Sequence, residues 1–424
     1  MAMVHIVGAG VAGLSCAVKL IEQGRDVAIY ETAAHAGGRS RSFMDDSLGC
    51  LIDNGSHMLM GGCEATREYL SLIGSSRMVT EVAPASYPFL DLATGERWRL
   101  RPNGGRIPLW LLSSDRRVPG STLSDYKDVL NIARAGPGHS VAERVDAGGV
   151  LYDRLWQPLS RAVLNTDASD GSAAMLWRMM RETLLRGEAA SRPFFFHRGL
   201  SPALVDPALK KLADHGMDIR MNARLRGLGW YDFQDNALVF SEGRLPVAPE
   251  DSVVLAVPPD ICADIWPEVV VPTQSRAIVN AHFRLDQAIE LPWGSPFLGL
   301  VNAESQWLFM RENILSVTIS AADRLVDQPA WELANMLWTE IARVLDHNLG
   351  RVPPWRIIKE RRATFAQTPD QIALRPRAET SLRNMFVAGD WTDTGLPATI
   401  EGAVKSGFNA ARLVLEGKQA KPDK

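Results

Sequence analysis

An α/β fold built around a Rossmann-like dinucleotide-binding domain is predicted by three observations. A β-branched run leads into a glycine-rich turn and a helix. A second strand then ends on an acid, and a third apolar strand, ending in Gly-Asp, stands near the far end of the chain. Val4-His5-Ile6-Val7 runs into Gly8-Ala9-Gly10-Val11-Ala12-Gly13, an apolar helical stretch spans Leu14 to Leu20, and Val27 to Tyr30 closes on Glu31. Strand, G-x-G-x-x-G turn, helix, strand and acid together form the context that a dinucleotide fingerprint requires. Gly8 suits the tight turn, Gly10 lets backbone approach a pyrophosphate, and Gly13 lets helix and strand pack closely. The helix start at Val11 and Ala12 turns unpaired N–H groups and partial positive charge towards the phosphates. Glu31, twenty-one residues beyond Gly10, is placed to accept from ribose hydroxyls.

The next residues narrow the ligand. Gly37-Gly38-Arg39-Ser40-Arg41-Ser42 puts an arginine straight after a glycine pair, where a planar guanidinium can close over a pyrophosphate opposite the helix. The order GxGxxG, E, GGR resembles the FAD fingerprint of the amine oxidase and phytoene desaturase superfamily. The far end agrees: Met385-Phe386-Val387-Ala388-Gly389-Asp390 is a strand ending in Gly-Asp, followed by Gly395-Leu396-Pro397-Ala398-Thr399-Ile400-Glu401-Gly402. By that resemblance Gly389 and Asp390 meet the ribityl chain or phosphate. The helix start around Thr399 and Ile400 points N–H groups at the N1–C2=O edge of the flavin, where they stabilise an anionic reduced ring. The four cysteines (Cys16, Cys50, Cys63, Cys262) all lie outside this motif, so FAD is expected to be non-covalent there.

The two flavin motifs stand more than 300 residues apart, so the FAD domain must be discontinuous. Asp218 to Leu225 alternates like a strand entering a turn and resembles the superfamily segment whose backbone meets adenine near Leu225. Val253-Val254-Leu255-Ala256-Val257 is an apolar strand stopped by Pro258 and Pro259. The expected division assigns residues 1–60, 196–259 and 381–415 to the FAD domain and 416–424 to a polar tail. Residues 61–195 and 260–380 form a discontinuous α+β substrate domain.

Composition excludes several classes. The 424 residues carry 46 basic against 49 acidic side chains, so no nucleic-acid footprint is present. Cysteine spacing shows no CxxC pair or small disulfide framework, as expected in a reducing compartment. Met1 to Val7 lacks the basic region and cleavage site of a signal peptide, and no apolar run reaches membrane-spanning length. A cytoplasmic protein is expected, with no metal-ligand set. Ile107-Pro108-Leu109-Trp110-Leu111-Leu112, next to Arg116 and Arg117, is long enough to dip into a bilayer surface, or equally to be an ordinary buried turn. Phe194-Phe195-Phe196-His197 could line an apolar tunnel or simply pack a core.

A narrower resemblance follows from segments spread along the chain. Asp53-Asn54-Gly55-Ser56-His57 looks like the D-N-G-x-H segment of the bacterial hydroxysqualene dehydroxylases, the squalene-associated FAD-dependent desaturases of hopanoid biosynthesis. Leu155-Trp156-Gln157-Pro158-Leu159, Leu164-Asn165-Thr166, Gln306-Trp307-Leu308-Phe309, Lys359 to Phe365, and Asp390 to Pro397 are similar to that family too. Ser56 departs from it, standing where glutamine is more usual. The resemblance implies reductive removal of the hydroxyl of a C30 isoprenoid lipid by reduced FAD, with squalene and water as products. It also implies an electron donor for the flavin and peripheral contact with the inner membrane. Departure of an allylic hydroxyl as water needs a general acid, for which Asp53 and His57 are the candidates, as the acid or as groups that hold it. A turn-former at Asp53 and a packed structural histidine at His57 are the plainer readings. The Lys359–Arg362 cluster reads as a charged strand edge or as a contact to flavin or substrate oxygen. Rival functions on the same fold are a carotenoid-type desaturase, an amine oxidase, and a flavin-free prenyl-lipid binding module of the GDP-dissociation-inhibitor type. The intact GGR and Gly-Asp motifs argue against the last.

Overall fold

The N-terminal β-branched run forms the strand Met3–Val7 at the centre of a parallel sheet in the computed structural model, which describes residues 2–105, 107–229, 236–345 and 350–417. Among the described residues this sheet has five strands, in the order Asp218–Arg220, Asp26–Tyr30, Met3–Val7, Ser252–Leu255 and Met385–Val387. All are parallel, and the side chains split by the period of two. Val4, Ile6, Val27, Ile29, Val254 and Phe386 share one core with the helices Val11–Ile21 and Ile400–Glu416. Val7, Ala28, Tyr30, Val253, Leu255 and Val387 face the other core, under the antiparallel ribbon that starts at Leu225–Gly229. Both faces are thus covered, which is why the central strands read as unbroken apolar runs.

A second sheet has seven strands among the described residues. Their order is Trp355–Phe365, Ser275–Arg284, Ile314–Ile319, Trp307–Arg311, Phe297–Val301, Tyr87–Asp91 and Arg97–Leu100. One face carries Val279, Ala281, Phe283, Leu298, Leu308, Leu315 and Val317, buried against the helix Ala330–Val344. By strand alternation the opposite face carries Asn280, His282, Ser316, Thr318, Phe297, Trp307, Phe309 and Arg311. That face looks towards the two-stranded hairpin of Ser42–Asp45 and Cys50–Asp53 and the turn after it: Arg311 reaches Asp53 and Asn280 reaches the Asn54 carbonyl.

Packing moves two expected borders. The helix Glu64–Leu72 buries Tyr69 and Leu70 in the core of the parallel sheet, and Pro259–Ile265 buries Cys262 and Ile265 on that sheet's other side. Each short helix has one apolar stripe, and the nearest surface able to bury it belongs to the parallel sheet. The boundaries at 60 and 260 therefore fall short of these helices. At the far end Glu416 is the last helical residue rather than tail, and Gly417 caps it in the left-handed conformation with φ of 60°. Residues 418–424 of the expected tail lie outside the described residues.

Candidate functional site

The glycine turn has three distinct surroundings. A Cβ on Gly8 would stand 2.3 Å from the Ala256 carbonyl oxygen, and one on Gly13 would stand 2.0 Å from the Gly8 carbonyl oxygen. Both positions are closed by backbone. Around Gly10 no heavy atom lies within 4 Å of such a Cβ, so this backbone faces open space. The first-turn N–H groups of Val11, Ala12 and Gly13 have no partner within their own helix. Gly37 donates to the Ala9 carbonyl at 2.8 Å, and Gly38 sits over the Gly10 Cα. Two glycine loops thus wall one cradle. Glu31 is held beside it: its carboxylate accepts from Ala9 N at 2.8 Å and from Ala33 N at 2.9 Å. Leu225 is buried at the start of its ribbon, two residues beyond Ala223, whose N–H bonds the Glu31 carbonyl at 2.8 Å. The Leu225 segment is therefore next to Glu31, the arrangement that the expected adenine and ribose contacts need.

Arg39 and Asp390 meet directly, Nη2 to Oδ1 at 2.7 Å, while Nη1 donates to the Ala363 carbonyl at 2.5 Å. The Asp390 charge chiefly holds the Arg39 guanidinium above its ordinary pKa. A guanidinium has five donors, so Arg39 keeps others for a phosphate. Gly389 donates to Ser406 Oγ at 2.8 Å, and a Cβ there would strike the Trp391 indole at 2.4 Å. Thr399 caps the C-terminal helix by accepting from Gly402 N at 3.1 Å, and Ile400 opens its first turn. Glu401 turns away from the cradle. Its carboxylate accepts from Ala65 N at 2.9 Å and Thr66 N at 2.8 Å, capping the helix Glu64–Leu72, and burial pushes its pKa up. The open glycine cradle, the uncapped helix start at Val11, the helix start at Thr399–Ile400 and a free-handed arginine suit a dinucleotide. These residues fit FAD, with Gly8 to Gly13, Glu31, Gly38, Arg39, Asp390 and the start at Thr399–Ile400 able to hold it.

The turn after the strand Cys50–Asp53 joins this cradle to the second sheet. Asp53 is buried; Oδ1 accepts from Ser42 Oγ at 2.5 Å and Leu200 N at 2.9 Å, and Oδ2 pairs with Arg311 Nη1 at 2.6 Å. Both oxygens accept from three separate segments, so of the readings for Asp53, the acid, a group that holds it or a turn-former, these contacts favour the last two. Asn54 spans the gap: its Nδ2 lies 3.4 Å from the Arg39 carbonyl and 3.4 Å from Glu360 Oε2, and its carbonyl accepts from Asn280 Nδ2 at 3.3 Å. Thr318 Oγ1 donates to Asn280 Oδ1 at 2.8 Å. His57 Nδ1 is 2.9 Å from the Gly55 carbonyl, so Nδ1 carries the hydrogen and Nε2 is left open. Its ring is accessible yet surrounded by protein, and desolvation above all lowers its pKa from 6.5, partly opposed by the Gly55 bond.

Strand alternation decides the Lys359–Arg362 cluster. Lys359 donates to the Gln328 carbonyl and Arg361 pairs with Asp327, whereas Glu360 meets Asn54 and Arg362 pairs with Asp260. Glu360 stood within the expected Lys359–Arg362 cluster, whereas Asn280, Thr318 and Arg311 were missed as site residues in the sequence. Their signal was present only as single polar residues in otherwise β-like runs. Gln367 was missed too: it donates to the Leu164 carbonyl at 2.9 Å and accepts from Ala398 N at 2.9 Å. It ties the Leu164-Asn165-Thr166 segment to the start of the C-terminal helix.

The apolar side begins three residues from His57. Met60 pairs with Pro193 and Leu59 with Phe194, which registers the triple phenylalanine against the turn. Phe194 and Phe196 bury in the parallel-sheet core, but Phe195 faces Phe297 and Phe309, at centroid distances of 5.3 and 6.0 Å. Only the middle ring of the run therefore joins the wall. In the 107–112 burst the side chains divide between surface and interior. Trp110 is half-buried and packs edge-on against Tyr126, whereas Ile107, Leu109 and Leu112 are 70, 58 and 66% exposed. The 3₁₀ turn Leu109–Leu112 repeats every three residues, so Leu109 and Leu112 share the exposed face while Trp110 and Leu111 turn inward. No helix among the described residues is long and apolar enough to cross a membrane.

Residues 11–415 match the family described as flavin containing amine oxidoreductase. Curated relatives named hydroxysqualene dehydroxylase are 44% identical in Sinorhizobium fredii (97% of this chain, 98% of the relative) and 37% identical in Zymomonas mobilis (98% and 99%). A 15-cis-phytoene desaturase of Synechococcus elongatus is 20% identical, covering 97% of this chain and 95% of its own. Among solved structures, putrescine oxidase bound to putrescine superposes with a TM-score of 0.69 at 17% identity, covering 98% of this chain and 99% of that one. Cyclohexylamine oxidase from Brevibacterium oxydans gives 0.69 at 15%, with coverage of 98% and 99%. At such identities the last two speak for the fold alone.

Proposed function

The chain belongs to the flavin containing amine oxidoreductases and, within them, to the hydroxysqualene dehydroxylases, and from that premise we propose that it is an FAD-dependent oxidoreductase converting hydroxysqualene to squalene and water. One observation carries the geometric side of this reading. The Asn54–Met60 segment touches the cofactor cradle at the Arg39 carbonyl and is registered against the aromatic strand at Pro193. On this reading His57, within that segment, stands between the dinucleotide site and the apolar side chains beyond Leu59. Bound reduced FAD supplies the hydride that takes the place of the hydroxyl.

The chain's own residues do the rest. His57, as imidazolium, gives its Nε2 proton to the departing oxygen, and its bond to the Gly55 carbonyl orients the ring for that transfer. Desolvation lowers its pKa, so the proton is released more readily once the hydroxyl is in place. Phe195, Phe297 and Phe309 keep water from the cation left behind. Asp53, paired with Arg311, fixes the turn to the second sheet. A bilayer supplies such a substrate, and we assign the surface contact to Ile107, Leu109 and Leu112, flanked by Arg116 and Arg117. The test is incubation of the purified protein with hydroxysqualene and a reductant, with products read by mass spectrometry. Squalene is expected; no conversion, with desaturation of a polyene instead, would move the chain to the carotenoid-type reaction.

A further inference from the structure

Asp53 precedes Asn54 and three further acids, Asp390, Glu360 and Asp260, act on Arg39 beside it, and all but one of the four are ion-paired. Asp53 is bound to Arg311, Asp390 to Arg39, and Asp260 to Arg362. Glu360 makes no ion pair among the described residues; its contact is the Asn54 amide at 3.4 Å, and Arg39 feels its charge from further off. Its placement is fixed by register. In the pairing of Ser275–Arg284 with Trp355–Phe365, Glu360 stands opposite Ile278 and Ile358 opposite Asn280, so Glu360 shares the sheet face of Asn280 and His282. That face holds Phe297, Trp307 and Phe309 and meets the Asn54 turn through Asn280. A half-buried carboxylate without a counter-ion, at the junction of cofactor cradle and apolar wall, costs desolvation energy and makes no obvious structural return.

We propose that Glu360 is the counter-charge for the allylic cation formed when the hydroxyl leaves. The inference rests on the dehydroxylation reading above. The C–O bond breaks with its electron pair going to oxygen, which takes the His57 proton and departs as water. The remaining allylic cation is then closed by a hydride, with its electron pair, from reduced FAD. Between those two events the substrate carries one positive charge in a site of low polarity, where a fixed carboxylate acts most strongly. Glu360 is not the proton donor. Its work is electrostatic, and Asn54 holds it towards the turn.

The test uses the FAD-loaded protein and a substrate skeleton carrying a tertiary ammonium at the reacting position, compared with squalene. The native chain is expected to bind the ammonium compound at least tenfold tighter than squalene. In Glu360→Gln that preference should fall to near parity, with FAD retention and squalene affinity unchanged, and Glu360→Asp should keep part of it. Each preference is a ratio within one protein, so a modest loss of stability leaves it readable; Glu360→Ala gives the same ratio should the amide disturb folding. Turnover of hydroxysqualene by Glu360→Gln should drop while its pH profile keeps its shape. An unchanged ammonium preference in Glu360→Gln overturns the proposal, and so does loss of the pH-dependent limb, which would make Glu360 the acid. A native protein that ignores hydroxysqualene overturns the dehydroxylation reading instead, so the two failures are separable.

Discussion

Arg39 and Asp390 lie 351 positions apart and meet at 2.7 Å, and Glu31 is fixed by two backbone N–H groups beside the glycine turn. Replacing Glu31 or Arg39 by alanine should each weaken FAD retention by about 1–3 kcal/mol, the scale of a lost charge-assisted hydrogen bond. Titrating FAD into the apoprotein of each variant measures this, and native affinity in both would refute the assigned cradle. The pair Asp53 and His57 separates by readout. Asp53→Asn should lower stability by about 3 kcal/mol, as one partner of a mostly buried ion pair is removed, and denaturant titration reports it. His57→Gln should fold normally but turn over hydroxysqualene about 100-fold or more slowly. Because the His57 pKa is lowered, its imidazolium form is lost as pH rises through a value below 6.5. Turnover should therefore be greatest on the acid side of that value and fall above it, and a flat profile would exclude His57 as donor. At this scale the sequence supplied the candidates but not their division. Nothing in Asp53-Asn54-Gly55-Ser56-His57 reveals that Arg311 arrives from 258 residues away to occupy the aspartate.

Elements were legible where their contacts are local. Strand, glycine turn and helix from Met3 to Ile21 could be read because each residue's task is set within one short unit. The seven-stranded sheet could not. Its parallel pairing of Phe297–Val301 with Tyr87–Asp91 joins segments some 200 residues apart, and no local pattern encodes that register. Alternation within Ser275–Arg284 was visible, yet which face would meet the cofactor depends on that long-range pairing. One helix contact gives a direct check. Gly407 of the C-terminal helix lies against the first helix, where a Cβ would stand 2.2 Å from the Ala12 carbonyl oxygen and 2.2 Å from Ser15 Oγ. Gly407→Ala should force the two helices apart, costing about 1–3 kcal/mol of stability, the usual range for overpacking. It should also loosen FAD, since the first helix begins at the glycine turn. A variant with native stability would mean that the helices adjust freely.

For the whole molecule, the account joins a dinucleotide cradle, an apolar wall and an exposed apolar turn in one chain. Replacing Ile107, Leu109 and Leu112 together by serine should abolish binding to anionic liposomes. Reversing charge at Arg116 and Arg117 should weaken it with a marked salt dependence. Co-sedimentation reads both, and a native protein that never sediments with vesicles would end the surface assignment. The discontinuous organisation was legible from the distance between the GGR and Gly-Asp motifs, while the borders at 60 and 260 were not. Those were set by which sheet could bury two short helices. The central claim is the direction of the chemistry: a hydride replaces a hydroxyl. Its most direct test is anaerobic turnover of hydroxysqualene by the reduced holoenzyme in deuterated water, where the exchangeable hydrogen on flavin N5 becomes deuterium. The account predicts squalene carrying one deuterium, located at the carbon that lost oxygen. Squalene without deuterium at that carbon, or no squalene at all beside desaturation of a polyene by oxidised FAD, would contradict it.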